Sequence, residues 1–161
     1  TIPEARLVLI GSDSFDIQTQ SLSTWELLKK EFEEEDLEQV SYLGKMSYDN
    51  VQEYIRKANV CVFPSFAETF GMVTIEAMAM QKPVVSNDFG WSQELIVSGQ
   101  NGFLVHPKKH TDFAKTIVTL LEDEHLCEKI GAAARHRVES IFDIQQIVQQ
   151  NVDFYESIIS K

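Results

Sequence analysis

The stretch "NVCVFPSFAETFGMVTIEAMAMQKPVVSND", Asn59 to Asp88, sets two short apolar runs around one longer segment of mixed character. "NVCVFPS" reads as a strand that Pro64 stops, because proline has no N–H to give to a sheet ladder. Ser65 to Thr69 reads as a loop, about Phe70 to Met80 as a helix, and "KPVVSND" as the next strand. A strand, a crossover helix and a strand in so short a span require parallel pairing.

The same alternation extends to both sides. Upstream, "RLVLIG" is a continuous apolar run suited to a strand buried on both faces, and "QVSYLG" is a second. Between them, Ser23 to about Asp36 carries a capping-box pattern, Ser23 with Glu26, and predicts one acidic helix. "SYDNVQEYIRKA" predicts a further helix, capped by Ser47 or Asp49. Downstream, "ELIVSGQNGFLVHP" places apolar residues on either side of Asn101-Gly102, a hairpin-like signal. Three helices are expected to finish the chain: about Thr111 to Glu122, Glu124 to Ser140 and Asp143 to Ser160. The pattern predicts an α/β fold, a Rossmann-like parallel sheet with helices on both faces.

The 161 residues suit one compact domain, residues 1–161. At 43% hydrophobic and 24% charged, with no low-complexity tract, the composition is that of an ordinary globular protein. No apolar run reaches the length of a membrane span. A formal charge of −11 argues against a general affinity for nucleic acid or anionic membrane. The densest acidic run, "KKEFEEEDLE", reads as a solvated helix face. Cys61 and Cys127 stand far apart without metal-like spacing, and Cys61 reads as a small buried thiol, which favours a reducing, cytoplasmic compartment. His106, His110, His125 and His136 form no metal-binding motif, and no metal is expected. The sequence opens at Thr1 and enters a strand pattern at once, with no targeting segment ahead of it, so it is expected to be a piece of a longer chain, truncated at the domain's N-terminal edge.

Ligands of parallel α/β sheets bind at the carboxyl ends of the strands, which makes Ser65 to Thr69 a candidate ligand loop. A helix opening near Phe70 leaves its first N–H groups unpaired, with the positive end of the helix dipole behind them. Gly71, in the first turn, would let a phosphate approach the backbone without a clash; alternatively it only eases the turn. Glu76, about six residues into the helix, would lie roughly 9 Å along the axis from its start, and Glu68 lies in the loop before it. A diphosphate at the helix mouth would then have a carboxylate toward each end. Neither should touch the diphosphate, because like charges repel. Each could accept paired hydrogen bonds from a vicinal diol, an order that fits a nucleotide sugar: hexose, diphosphate, ribose. Spacing leaves two other readings open. One is a pair of surface glutamates flanking an ordinary helix; the other is a glycosidase-type acid and nucleophile, which needs carboxyls about 5 to 10 Å apart across one bond.

From Tyr42 onward, through "FPS", "ETFG", the E-x7-E pair Glu68 and Glu76, "EAMA", "KPVV", "QE" and "NGFLV", the chain resembles the donor-binding C-terminal half of the GT-B glycosyltransferases of family 4, the group 1 retaining enzymes. "PEARLVLIG" also resembles a strand of that domain. The resemblance implies retaining transfer of a hexose from a nucleoside diphosphate sugar, UDP- or GDP-linked, to an acceptor in glycan or glycoconjugate biosynthesis, without a metal or other cofactor. It implies that Glu68 contacts the donor sugar and is the carboxylate of the catalytic site, positioning the sugar in a front-face reaction. It further implies that Glu76 contacts the ribose, and that the backbone at Phe70, Gly71 and Met72 meets the sugar or diphosphate. The loop at Lys45 and Met46 would hold the base, largely through main chain. Glu94 matches the glutamate of a "GGxxE" signature, with a loop-fixing role.

Two positions depart from that pattern: Gln81 and Trp91 stand where the family usually has glycine. Trp91 is bulky enough to narrow the pocket, so sugar identity does not carry over. By the resemblance, an Arg and a Lys that neutralise the diphosphate lie outside this sequence. So does the acceptor-binding N-terminal domain, through which a saccharide or lipid-linked acceptor and any peripheral membrane contact would come. The fragment alone is therefore expected to bind donor and to be inactive or nearly so. Competing readings are a non-catalytic nucleotide-binding or interaction module, and a GT-B epimerase or phosphorylase. A dinucleotide-dependent oxidoreductase is disfavoured, because the first strand ends in "GSDSFD" and lacks GxGxxG.

Overall fold

In the computed structural model, which describes residues 2–159, each pairing between named strands is parallel, as the crossover reading requires. The described residues gather into two compact units that divide between Tyr54 and Ile55.

In the N-terminal unit, β1 (Leu7–Leu9) pairs with β2 (Val40–Tyr42), Leu7 opposite Val40 and Leu9 opposite Tyr42. The single acidic helix expected between them is two short ones, α1 (Thr24–Lys29) and α2 (Glu34–Leu37). The amides of Lys30 and Glu31 bond three residues back, to Leu27 and Leu28, and tighten the end of α1 into a turn. A continuous helix would set Glu31 against Glu35 on one face, and like charges four apart repel. Breaking the helix instead puts Glu34, Glu35 and Asp36 in the first turn of α2, where the helix dipole favours them.

Half of the expected capping box forms: Ser23 Oγ accepts from Glu26 N at 2.9 Å, but the Ser23 amide donates to Ser21 Oγ rather than to Glu26. Asp13 supplies what is missing. Its carboxylate accepts from the hydroxyls of Ser23 and Thr24 and, at 3.0 Å, from the amide of Trp25. These bonds, the Ser23 hydroxyl foremost, hold its carboxyl at about 2 against the ordinary 3.8.

The chain continues through α3 (Tyr48–Lys57). The C-terminal unit contains β3 (Cys61–Phe63), α4 (Met72–Ala79), β4 (Val84–Ser86), α5 (Ser92–Leu95), β5 (Phe103–Leu104), α6 (His110–Glu122), α7 (Glu124–Phe142) and α8 (Ile144–Ile159). The expected end of the last helix at Ser160 lies outside the described residues. Strand order is β3-β4-β5, and the middle strand is buried throughout. Val85 packs with Phe113 and Leu120 of α6; strand alternation turns Val84 and Ser86 to the opposite side.

The hairpin expected at Asn101-Gly102 does not form. The turn is real, but it delivers β5 parallel to β4, with Val85 opposite Phe103. Asn101 is buried and closes the preceding loop on itself: Oδ1 accepts from Val97 N at 2.7 Å, and Nδ2 donates to Leu95 O at 3.3 Å. "ELIV" accordingly supplies the end of α5 and a loop rather than a strand.

Helix α4 ends in a Schellman motif, with Lys82 N donating to Ala77 O and Gln81 N to Met78 O, both at 3.0 Å. This motif puts Gln81 in the left-handed region at φ 59°. The departure from glycine noted at this position therefore carries a backbone cost. The turn is fixed from outside, because the Gln81 carbonyl lies directly against Gly131 of α7; a Cβ there would stand 2.1 Å from it.

Two outcomes are expected. Gln81→Gly should raise the unfolding free energy by about 1 kcal/mol, measured by urea denaturation, by relieving a left-handed non-glycine residue. The folded-state carboxyl of Asp13 lies below its unfolded value, so its capping contribution is complete above the ordinary 3.8 and is lost as pH falls through the folded value. The Trp25 amide resonance should titrate with a midpoint of about 2, and Asp13→Asn should abolish that transition.

Candidate functional site

The carboxyl ends of β3, β4 and β5 open into three loops of the C-terminal unit. Phe66, after β3, and Phe89, after β4, both bring their rings to His106, after β5, with centroids 6.4 and 5.6 Å apart. The loops thus meet at the end of the sheet where α/β proteins bind ligands.

Gly71 is the N-cap of α4, at φ 69° and ψ 40°, and not a residue of its first turn. The helix begins two residues later than its sequence predicts. A left-handed residue leading into a right-handed helix turns successive N–H groups toward one side, a concavity that receives anions. The ladder starts with Thr74 and Ile75, which both donate to Gly71 O at 2.9 and 3.0 Å, leaving the amides of Met72 and Val73 ahead of it. The anion-receptive group of donors is therefore the backbone around Gly71, Met72 and Val73.

Glu68 lies exposed in the loop, and its Oε1 accepts from Thr69 N at 2.9 Å. Glu76 is the fifth residue of α4 and half-buried, about 6 Å along the axis from the first residue rather than the expected 9 Å. The two carboxylates still flank the helix mouth, one in the loop before it and one within the helix.

Phe70 and Met72 are exposed. Phe70 stacks on Trp91, centroids 4.9 Å apart at 25°, and meets the ring of Phe142 edge-on at 6.0 Å. Trp91 has an ordinary φ of −61°, whereas Gly90 before it takes the left-handed φ of 61°. The first glycine of the signature is thus needed for the backbone, and the second position has only to provide space. The indole Nε1 of Trp91 is buried without a hydrogen-bond partner.

Sequence reasoning expected Glu94 to fix its loop. The contact observed is to its carbonyl oxygen, which accepts from Arg137 of α7 at 2.9 Å. Arg137 itself, and the buried hydroxyl pair Ser86 and Ser92 at 3.1 Å beneath the loop, carried no sequence signal, because each pairing joins residues that no short motif links. Lys45 and Met46 belong to the N-terminal unit, in the loop that leaves β2, where Gly44 accepts from Gly11 N at 3.0 Å; Lys45 is exposed and Met46 half-buried.

Cys61 and Cys127 are free thiols; burial pushes Cys61 up to about 11. Among the described residues, no group of three or more His, Cys, Asp or Glu side chains is placed to hold a metal, and no helix is long and apolar enough to cross a membrane.

Parallel strands, a left-handed glycine opening a helix at their carboxyl ends and carboxylates on either side define an α/β unit with an anion-receptive helix mouth. The chain belongs to the glycosyl transferases group 1 family, whose model matches residues 1–137. It is 34% identical over 108 residues to the capsular polysaccharide biosynthesis glycosyltransferase CapM of Staphylococcus aureus, covering 67% of this chain and 28% of that protein. It is 30% identical over 156 residues to the trehalose synthase of Thermococcus litoralis, covering 97% and 37%. The crystal structure of Anabaena Alr3699/HepE in complex with UDP superimposes with a TM-score of 0.84 at 29% identity, covering 96% of this chain and 42% of that one. The same protein in complex with UDP-glucose gives 0.77 at 28%, with the same coverage. The fold is that of the GT-B glycosyltransferases, and the chain spans well under half the length of these relatives.

Gly71→Ala is expected to lower the unfolding free energy by about 1 kcal/mol through left-handed strain alone. The added methyl would meet its neighbours at ordinary contact distances of 3.6 to 3.7 Å, so urea denaturation should show a modest loss and not a collapse.

Proposed function

We propose that this chain is the donor-binding part of a glycosyltransferase that transfers a hexose, with retention, from a nucleoside diphosphate sugar to a saccharide or lipid-linked acceptor. The observation that carries the reading is the left-handed Gly71 at the mouth of α4, with Glu68 before it and Glu76 beyond. Amides around Gly71, Met72 and Val73 would take the diphosphate and stabilise the charge that develops on it as the sugar departs. Glu68, an acceptor, would hold sugar hydroxyls, and Glu76 would hold those of the ribose. In the N-terminal unit, we assign contact with the base to the main chain at Lys45 and Met46.

The finer features have separate support. The UDP and UDP-glucose complexes of Anabaena Alr3699/HepE support a UDP-linked donor. The similarity to a capsular polysaccharide enzyme supports a role in polysaccharide biosynthesis. The two free thiols fit a cytoplasmic setting. A peripheral place at the membrane is proposed for the full-length protein alone. Independence from metal is part of the proposal and follows from the family resemblance.

The full-length protein should bind UDP and UDP-glucose, or the GDP or ADP pair, in calorimetry, with amide shifts in NMR concentrated between Ser65 and Met72. Shifts that avoid this loop would sink the reading. Glu68→Ala should lower kcat/KM for transfer by about ten- to a hundredfold, the range for losing hydrogen bonds to a charged group. Unchanged kcat/KM would mean that Glu68 contributes to neither donor binding nor transfer.

A further inference from the structure

An indole N–H sealed from water without an acceptor is costly, and its presence in a native site needs a reason. Packing does not provide one. Phe70 needs a flat ring to stack on, and a phenyl group would serve. The backbone provides no reason either, since Trp91 sits at an ordinary φ of −61°. What tryptophan adds over phenylalanine here, besides a larger ring, is the N–H.

Its position is informative. Cδ1 of Trp91, the ring carbon bonded to Nε1, lies 3.6 Å from the point where a Gly71 side chain would begin, and Cγ of Glu68 lies 3.7 Å from the same point. The side chains of a donor-only and an acceptor-only residue thus approach one spot at the helix mouth, beside Leu95 Cδ1 at 3.7 Å. A single hydroxyl satisfies both, donating to the carboxylate and accepting from the indole, and such chains of hydrogen bonds strengthen one another. A nucleoside diphosphate places no hydroxyl on that side of its phosphates; a hexose does.

We propose that Trp91 is a donor-binding residue whose indole N–H pairs with a hydroxyl of the transferred sugar that Glu68 also holds. This rests on the donor reading above. The pairing needs a small shift of the Phe70 ring, which is two-fifths exposed.

The test uses the full-length protein, with UDP, GDP, ADP and their glucose esters as probes. Trp91→Phe should bind the preferred nucleotide as the wild type does and bind its glucose ester about three- to tenfold more weakly, the worth of one neutral hydrogen bond. It should still fold, with any fall in melting temperature owed to the smaller ring and not to the N–H, which had no partner. In the wild type, the Trp91 indole proton should move downfield with the glucose ester and not with the nucleotide. Equal affinities in the variant, an equal loss for both ligands, or an indole proton indifferent to the sugar would each overturn the proposal and leave the donor reading standing. A wild type that binds none of the probes would overturn both.

Discussion

Helix α4 is bracketed by two residues of left-handed backbone, Gly71 at its start and Gln81 just past its end. Both turns are enforced by neighbours and not by local preference alone. At the far end the Gln81 carbonyl is pressed against Gly131, where no side chain could be accommodated. At the near end Phe70 is held between Trp91 and Phe142. Gly131 and Phe142 both belong to α7, and they are separated by as many residues as Phe70 and Gln81. Helix α7 therefore runs back along α4 and grips it at both ends, with Ile130, Ala134 and Val138 buried in one stripe. The direction in which the Met72 and Val73 amides point is set by this clamp.

That dependence explains how so short a helix can hold its first-turn amides in place. Eight residues form only two turns, too few to be stable alone in water. Burial of Thr74, Ile75, Ala77 and Met78 supplies the missing stability, and it leaves the first-turn amides as the part of the helix not committed to packing. A site on a rigid element is positioned more closely than one on a free loop. Glu68 gains from the same arrangement, because the stacked Phe70 and the cap Gly71 follow it closely in the chain.

Much of this was legible in the sequence. Apolar runs bounded by Pro64 and by Asn87-Asp88 located the strands, and the parallel crossover followed from their spacing. The helix mouth and its flanking carboxylates could be named from "ETFGMVTIE". The misreadings share a cause. Asn101-Gly102 signals a turn, but whether the following strand returns beside the preceding one or joins β4 is decided by tertiary pairing. The acidic run has helical spacing, yet repulsion within it breaks the helix in two. The Phe70 and Trp91 stack, like the grip of Arg137 on the Glu94 carbonyl, joins separate segments and leaves no periodic trace.

A chain of formal charge −11 proposed to receive a diphosphate would have to overcome its own field. At physiological ionic strength that field decays over about 8 Å, so acidic groups beyond that reach count for little at a short-range contact. Amides at a helix mouth act only within hydrogen-bond reach, but they need no reorganisation and carry the dipole of the whole clamped helix behind them. Recognition in this fold is therefore a matter of where a few N–H groups point. Holding them takes a left-handed glycine, an aromatic seat and a second helix pressed along the first.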